Sequence, residues 1–293
     1  MPLCTIHLLS LHPTTPAPLT TFLSTLHSTS LKPLIISRVL RWIILPSTLS
    51  TDPLLAQNIP WHLLLIVPDS SSTLPAGLTP LIQYSWSLVA GIPSRLLQDF
   101  SSKNAALLHP DPDSVPKLSS DSGANDGAAL APTSQNLELS PALQAWISTF
   151  STSNTPEALG AVSMLNLLSF KSGMKPSYLK YGAEFSKSIG SSRGGNAKIV
   201  GTVVEVNGSK KKAKKEGDEE GEDEGEALWD EVALAHYPSI LHFADMLKGK
   251  DYQEVNQKYR VPALRDTFIL ATSEIGISEV GEGRKGVLSL SKL

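Results

Sequence analysis

Cysteine is nearly absent, Cys4 being the single one in 293 residues. One thiol excludes an intramolecular disulfide and a cysteine-rich zinc site, and suits a reducing compartment. Cys4 itself reads as a buried strand residue. Net charge is scarce too. The balance is −3, from 25 Lys and Arg against 28 Asp and Glu, so no overall basic field draws the chain to nucleic acid. Pro, Ser, His or Arg interrupts every apolar stretch before the ~20 residues needed to cross a bilayer, and no membrane span is expected. Motifs of fixed spelling are missing as well. There is no GxxxxGK with Ser or Thr, no GxGxxG, no HExxH and no GxSxG, and the Gly-Ser turn at residues 190–195 lacks the following helix that a phosphate site requires. Neither a metal nor a cofactor is called for.

Acidic residues are missing from the first 51 positions, where Ser and Thr abound, a composition like that of a mitochondrial transit peptide. Against it, Pro13, Pro16 and Pro18 break the helix such a peptide needs, and residues 5–11 read as a strand. The expected compartment is the cytoplasm. Mitochondrial import stays open on this ground, and nuclear import on the lysine block from Lys210 to Lys215.

What is present suits two folded domains: 41% of the residues are hydrophobic. Residues 109–141, dense in Pro, Ser, Asp and Gly, read as a disordered linker, and residues 275–293 as a flexible tail. Residues 207–227 run from a basic to an acidic block and read as a charged disordered insert. Around that insert, residues 163–170 form a short apolar run expected of a buried strand. Tyr178, Tyr181, Phe185 and Ile189 recur at helical spacing, and residues 197–206 and 229–237 are strand-like. An apolar stripe over 240–259 predicts a second helix, and 265–272 a last strand. The order is β-α-β-β-α-β over residues 142–274, an α+β fold with both helices on one face of an antiparallel sheet.

The first 108 residues echo this rhythm, with strands at 5–11, 34–45 and 61–67 and helices at 19–27 and 78–91. Residues 6–10 (IHLLS) parallel 165–169 (LNLLS), and the Trp61 strand parallels the Trp229 strand. Residues 3–108 are therefore expected to be a degenerate second copy.

The C-terminal half resembles the small, mostly uncharacterised ferredoxin-like domains of the dimeric α/β-barrel superfamily. Asn166, the Tyr178 and Tyr181 pair, Gly194-Gly195, Trp229-Asp230, Tyr237-Pro238-Ser239, Asp251-Tyr252-Gln253 and Arg265-Asp266 carry the likeness. It covers residues ~162–274, departing in its charged insert and in His236, where these domains commonly carry a carboxylate. The resemblance implies two tandem ferredoxin-like domains pairing sheet to sheet within one chain. The superfamily includes cofactor-independent monooxygenases, haem-handling enzymes and lactone isomerases alongside proteins without known activity, so it does not fix a function.

Two residues break an apolar pattern and are the candidate catalytic groups. Alternation puts His236 on one face of its strand with Val232 and Leu234, where it is either a general acid or base or a structural histidine. Asn166 sits among Leu and Met, and either meets a ligand or ties neighbouring backbone. Tyr181, Tyr252, Arg193 and Arg265 are candidate ligand-binding residues. The expected function is binding of a small, partly apolar molecule in a cavity between sheet and helices, with monooxygenase or isomerase chemistry if there is any. The competing expectation is a non-catalytic scaffold or dimerisation module whose charged insert recruits a protein partner. The expected partners are a small-molecule ligand and at most a second copy of the chain, monomer or homodimer.

Overall fold

The computed structural model describes residues 1–71, 73–119, 130–211 and 229–277. The elements run β1 (Leu3–Leu11), α1 (Pro18–His27), β2 (Ile35–Ile44), β3 (Leu63–Val67), β4 (Ile82–Gly91), α2 (Ser94–Leu97), α3 (Phe100–Leu108), α4 (Pro141–Ser151) and α5 (Pro156–Leu159). They continue with β5 (Val162–Phe170), α6 (Lys175–Glu184), β6 (Asn196–Val206), β7 (Ser209–Lys210), β8 (Glu231–Tyr237), α7 (Ile240–Lys248), α8 (Lys250–Val255) and β9 (Leu264–Ser273). The fold is α+β, with one large antiparallel sheet and helices. No helix among the described residues is long and apolar enough to cross a membrane.

The strands neighbour one another in the order β4-β1-β3-β2-β9-β5-β8-β6-β7, and β4 also pairs with β6. Eight strands thus close a hydrogen-bonded ring. The same neighbour order occurs twice in it, β4-β1-β3-β2 and then β9-β5-β8-β6. The halves meet at two seams, β2 with β9 and β4 with β6. At the second seam β6 needs a glycine, because a Cβ on Gly201 would lie 2.9 Å from the Gly91 carbonyl oxygen and collide with Ile92.

Strict alternation sorts each strand into two faces. Ile6, Leu8, Leu64 and Ile66 from the first half meet Leu165, Leu167, Leu234 and Leu270 from the second in one buried cluster inside the ring. Trp42, Trp86 and Trp229 all set an edge against Phe268, at centroid separations of 5.3, 6.0 and 5.4 Å. Each such side chain contributes ~1.5–3 kcal/mol by leaving water. The interior is a filled core.

Residues 47–54 tie the halves together near these tryptophans. Trp61 Nε1 donates to the Leu54 carbonyl at 3.0 Å and Trp229 Nε1 to Ser50 Oγ at 3.1 Å. The Asp266 carboxylate accepts from the amides of Ser47, Thr48 and Leu49 and from the Ser47 and Thr48 hydroxyls, at 2.7–3.0 Å. Burial alone would raise its pKa, but the bonds from Leu49, Ser47 and Thr48 outweigh that and hold it below the ordinary value.

On the outer face, α1 covers the first half, with Phe22, Leu23 and Leu26 on Leu9, Leu63 and Leu65. Over the second half α4, α6, α7 and α8 share a cluster with outward residues of β5, β8 and β9, among them Met164, Tyr237, Ile269 and Ala271. Ser140 caps α4 through the Leu143 amide, and Ser239 caps α7 through the Leu241 amide.

Two expectations need correction. Residues 78–91, expected to be a helix, instead hold a short turn and then β4 (Ile82–Gly91), which lies between β1 and β6. Its alternation of Trp86, Leu88 and Ala90 into the core satisfies the strand period, and pairing on both sides decides between the two readings. The first half therefore has no second long helix between β3 and β4. Residues 109–141, expected as a disordered linker, are partly built in. The Pro116 carbonyl lies 2.9 Å from His242 Nε2, and Leu137 and Leu139 are buried under the helices, so a few anchors suffice where average composition predicts none. The insert begins with an Asn207-Gly208 hairpin, both residues at positive φ, that returns β7 onto β6. Its charged part, residues 212–227, and most of the tail lie outside the described residues, and with them the expected recruitment of a partner.

Replacing Asp266 with Ala should destabilise the fold by about 2–4 kcal/mol, since five donors from residues 47–49 lose their acceptor. Because the folded pKa is depressed, this stabilisation is present above the unfolded value of about 4 and is lost as pH falls through the folded one. Urea unfolding at pH 7 and pH 3 checks it: the wild type should lose stability between the two, and the variant less.

Candidate functional site

A cavity of about 360 Å³ lies between α6 and the outward face of β5, β6 and β8. Its existence follows from residue size. On β8 the inward positions hold Val232 and Leu234, while the outward ones hold Ala233 and Ala235, which with Ala197 of β6 line the cavity. Across from them α6 presents Gly182, where an added Cβ would meet no atom within 4 Å. Helix and sheet are held apart by larger flanking side chains, Tyr178, Tyr181 and Phe185, whose rings succeed one another at 5.3 and 6.3 Å.

Polar groups in this wall are few. Asn166 lines the cavity while its Nδ2 donates to the Met164 carbonyl at 2.9 Å, so it ties its own strand and faces the space as well. Glu231 is buried and ion-paired with Lys175 at 2.6 Å. Tyr181 Oη lies 3.3 Å from Tyr252 Oη, and Tyr237 Oη donates to Met246 Sδ at 3.3 Å. Burial raises the pKa of Tyr178, Tyr181, Tyr237 and Tyr252, so all four phenols stay protonated.

The structure brings Asn166 and Tyr181 together at this cavity and leaves the other predicted residues away from it. Tyr252 is buried behind Tyr181, reaching it through the phenol contact. Arg193 is occupied by Asp245 at 3.3 Å and by Asp251 in a two-pronged pair at 3.0 Å. Burial would raise the Asp251 pKa, but the bond and charge of Arg193 and the backbone amides of residues 251 and 252 together lower it. Arg265 donates twice to Ser169 Oγ, at 3.1 and 2.7 Å. His236 takes the inward side of β8, away from the cavity. Burial, helped by the charge of Lys198 and by His242, lowers its pKa to about 3, so it is neutral near pH 7 and its Nδ1 has no hydrogen-bond partner.

Near His236 stands a polar cluster that the sequence reading missed. Lys198 Nζ is ion-paired with Glu274 and donates to Asn104 Oδ1 at 2.9 Å, with the two charged side chains only 3% and 8% exposed. Burial lowers the Lys198 pKa, opposed by Glu274. Tyr178, Tyr237 and Glu231 were missed as site residues too. The available signal was Ala233 and Ala235 at alternate positions between larger neighbours, which leaves a strand bare on one side. Among the described residues no group of three or more His, Cys, Asp or Glu is placed to hold a metal ion.

Because Lys198 and Glu274 are both desolvated, removing one partner strands the other. Glu274→Ala should cost about 3–5 kcal/mol, whereas the double variant Lys198→Met, Glu274→Leu should recover most of that loss. Denaturant midpoints at unchanged slope read both, and equal losses in the single and double variants would overturn the expectation.

No family model matches the chain, and no curated protein does. Among solved structures, the crystal structure of a protein of unknown function from Rhodopseudomonas palustris is similar at 21% identity over 46% of this chain and 94% of that one, with a TM-score of 0.31.

Proposed function

We propose that the chain is a pair of tandem ferredoxin-like halves closing one α/β barrel, and that it holds a small, partly apolar molecule between α6 and the sheet. The repeated strand order and the two seams between halves support the architecture. The observation that carries the binding reading is the cavity of about 360 Å³ with alanines on its sheet side and a glycine on its helix side. A well-packed fold leaves few voids larger than a water molecule. Space of this size, mostly apolar with a few convergent polar groups, is what small-molecule sites look like.

The wall favours isomerisation over oxygen insertion. Glu231 is its carboxylate, oriented by an ion pair with Lys175. A base so placed can take a proton from an acidic allylic carbon of the bound molecule and return it two carbons along, at the far end of the double bond, which moves the double bond without net redox change. Asn166 and the phenols beside it orient the molecule.

Filling the cavity from the sheet side tests the binding reading. Wild-type protein should bind a neutral aromatic probe, 2-naphthol, in a saturable fluorescence titration. Ala233→Leu should weaken that binding at least about tenfold while shifting the melting temperature by no more than a few degrees. Binding unchanged in the filled variant would place the probe elsewhere and remove the reading.

A further inference from the structure

We infer that the molecule held under α6 carries an anionic group, in the simplest case a carboxylate, on its otherwise apolar body. This rests on the small-molecule reading of the cavity and adds the chemical class of the ligand. The observation behind it is Arg260, which ends the single π turn Asn256–Arg260 packed against α6. Arg260 is 1% exposed, its Nη2 has no hydrogen-bond partner, and no carboxylate pairs with it among the described residues. A guanidinium does not lose its proton on burial, so the fold carries a desolvated positive charge without a counter-ion. Two less buried guanidinia do have counter-ions. Arg193, whose side chain is 14% exposed, has two carboxylates, and Arg38, at 40%, has Glu157.

The unanswered charge lies beside the cavity. Tyr178, Tyr181, Tyr237 and Tyr252 all experience the field of Arg260, and the first three line the space. The Tyr237 hydroxyl is spent on Met246 and that of Tyr181 meets Tyr252, whereas the Tyr178 hydroxyl makes no hydrogen bond among the described residues. A free phenol facing the space, with an uncompensated cation behind the phenol wall, suits an anionic group better than a neutral one. The one carboxylate lining the cavity, Glu231, does not cancel this, because its charge is already balanced by Lys175 at 2.6 Å.

The test compares two probes of equal shape on the full chain, naphthalene-2-carboxylate and naphthalene-2-carboxamide, by calorimetric titration at pH 7. Wild type should bind the acid at least about tenfold more tightly than the amide, the scale of one charge-assisted hydrogen bond. Arg260→Met should abolish that preference and keep or raise the melting temperature, since it removes an unpaired buried charge. Tyr178→Phe, which keeps the ring, should reduce the preference several-fold and decides the matter if the methionine variant does not fold. Equal wild-type affinities with the amide bound would overturn this inference and leave the cavity reading standing. A preference that survives in Arg260→Met, or in Tyr178→Phe where that variant decides, would also overturn it. If neither probe binds, the cavity reading fails and takes this inference with it.

Discussion

Everything in this structure follows from one pairing, β4 against β6, which turns a row of strands into a ring. Without it β4 would present an open edge, with unpaired amides and carbonyls that invite other strands. With it, every strand of the ring has two partners, and a slip of one residue anywhere would turn core side chains outward. At one end of the seam β6 carries Gly201, where a Cβ would collide with Ile92 and crowd the Gly91 carbonyl. Closure also fixes the interior volume, and Trp86, Trp229 and Phe268 with their aliphatic neighbours fill it. Space for anything else has to be found outside the ring, between sheet and helices.

That outer layer is where the helices decide the outcome. A helix resting on a strand of Leu and Val would close on it and leave no void. Over β8 the contact is made instead by the tyrosines of α6 and by Phe185 just after it, at the margins, with alanines between them. The gap is the consequence of large residues on one element set against small ones on the other.

Much of this was legible in the residues. The period-two alternation of Val232, Leu234 and His236 against Ala233, Ala235 and Tyr237 holds in the fold, and so does the echo between residues 6–10 and 165–169. Ile6 and Leu165 face the core, while Asn166, and His7 by the same alternation, face outward. What failed did so where a local pattern permits two periods, as in β4, or where composition averages over a few anchoring residues, as at Leu137 and Leu139. Site residues were harder, because a polar residue in an apolar strand announces that it is buried without saying on which side the space lies. His236 and Asn166 look alike in sequence, yet only Asn166 faces the cavity. Arg260 stood in no apolar run, and its isolation is visible only once its neighbours are assembled.

Residue size also explains the tight packing under α1. β3 holds in the first half the place that β8 holds in the second, between the first and second strands of its unit. Its outward residues Leu63 and Leu65 pack directly on Phe22, Leu23 and Leu26 of α1, where β8 offers Ala233 and Ala235. Two leucines in place of two alanines add six methyl or methylene carbons, close to 5 kcal/mol of apolar burial at ~0.8 kcal/mol each, and erase the space. The first half also has no second long helix between β3 and β4, so it has no counterpart of the turn that carries Arg260. The layer under α1 is thus packed shut by its leucines, whereas β8 keeps its alanines and, beside them, a buried cation that no carboxylate pairs with among the described residues.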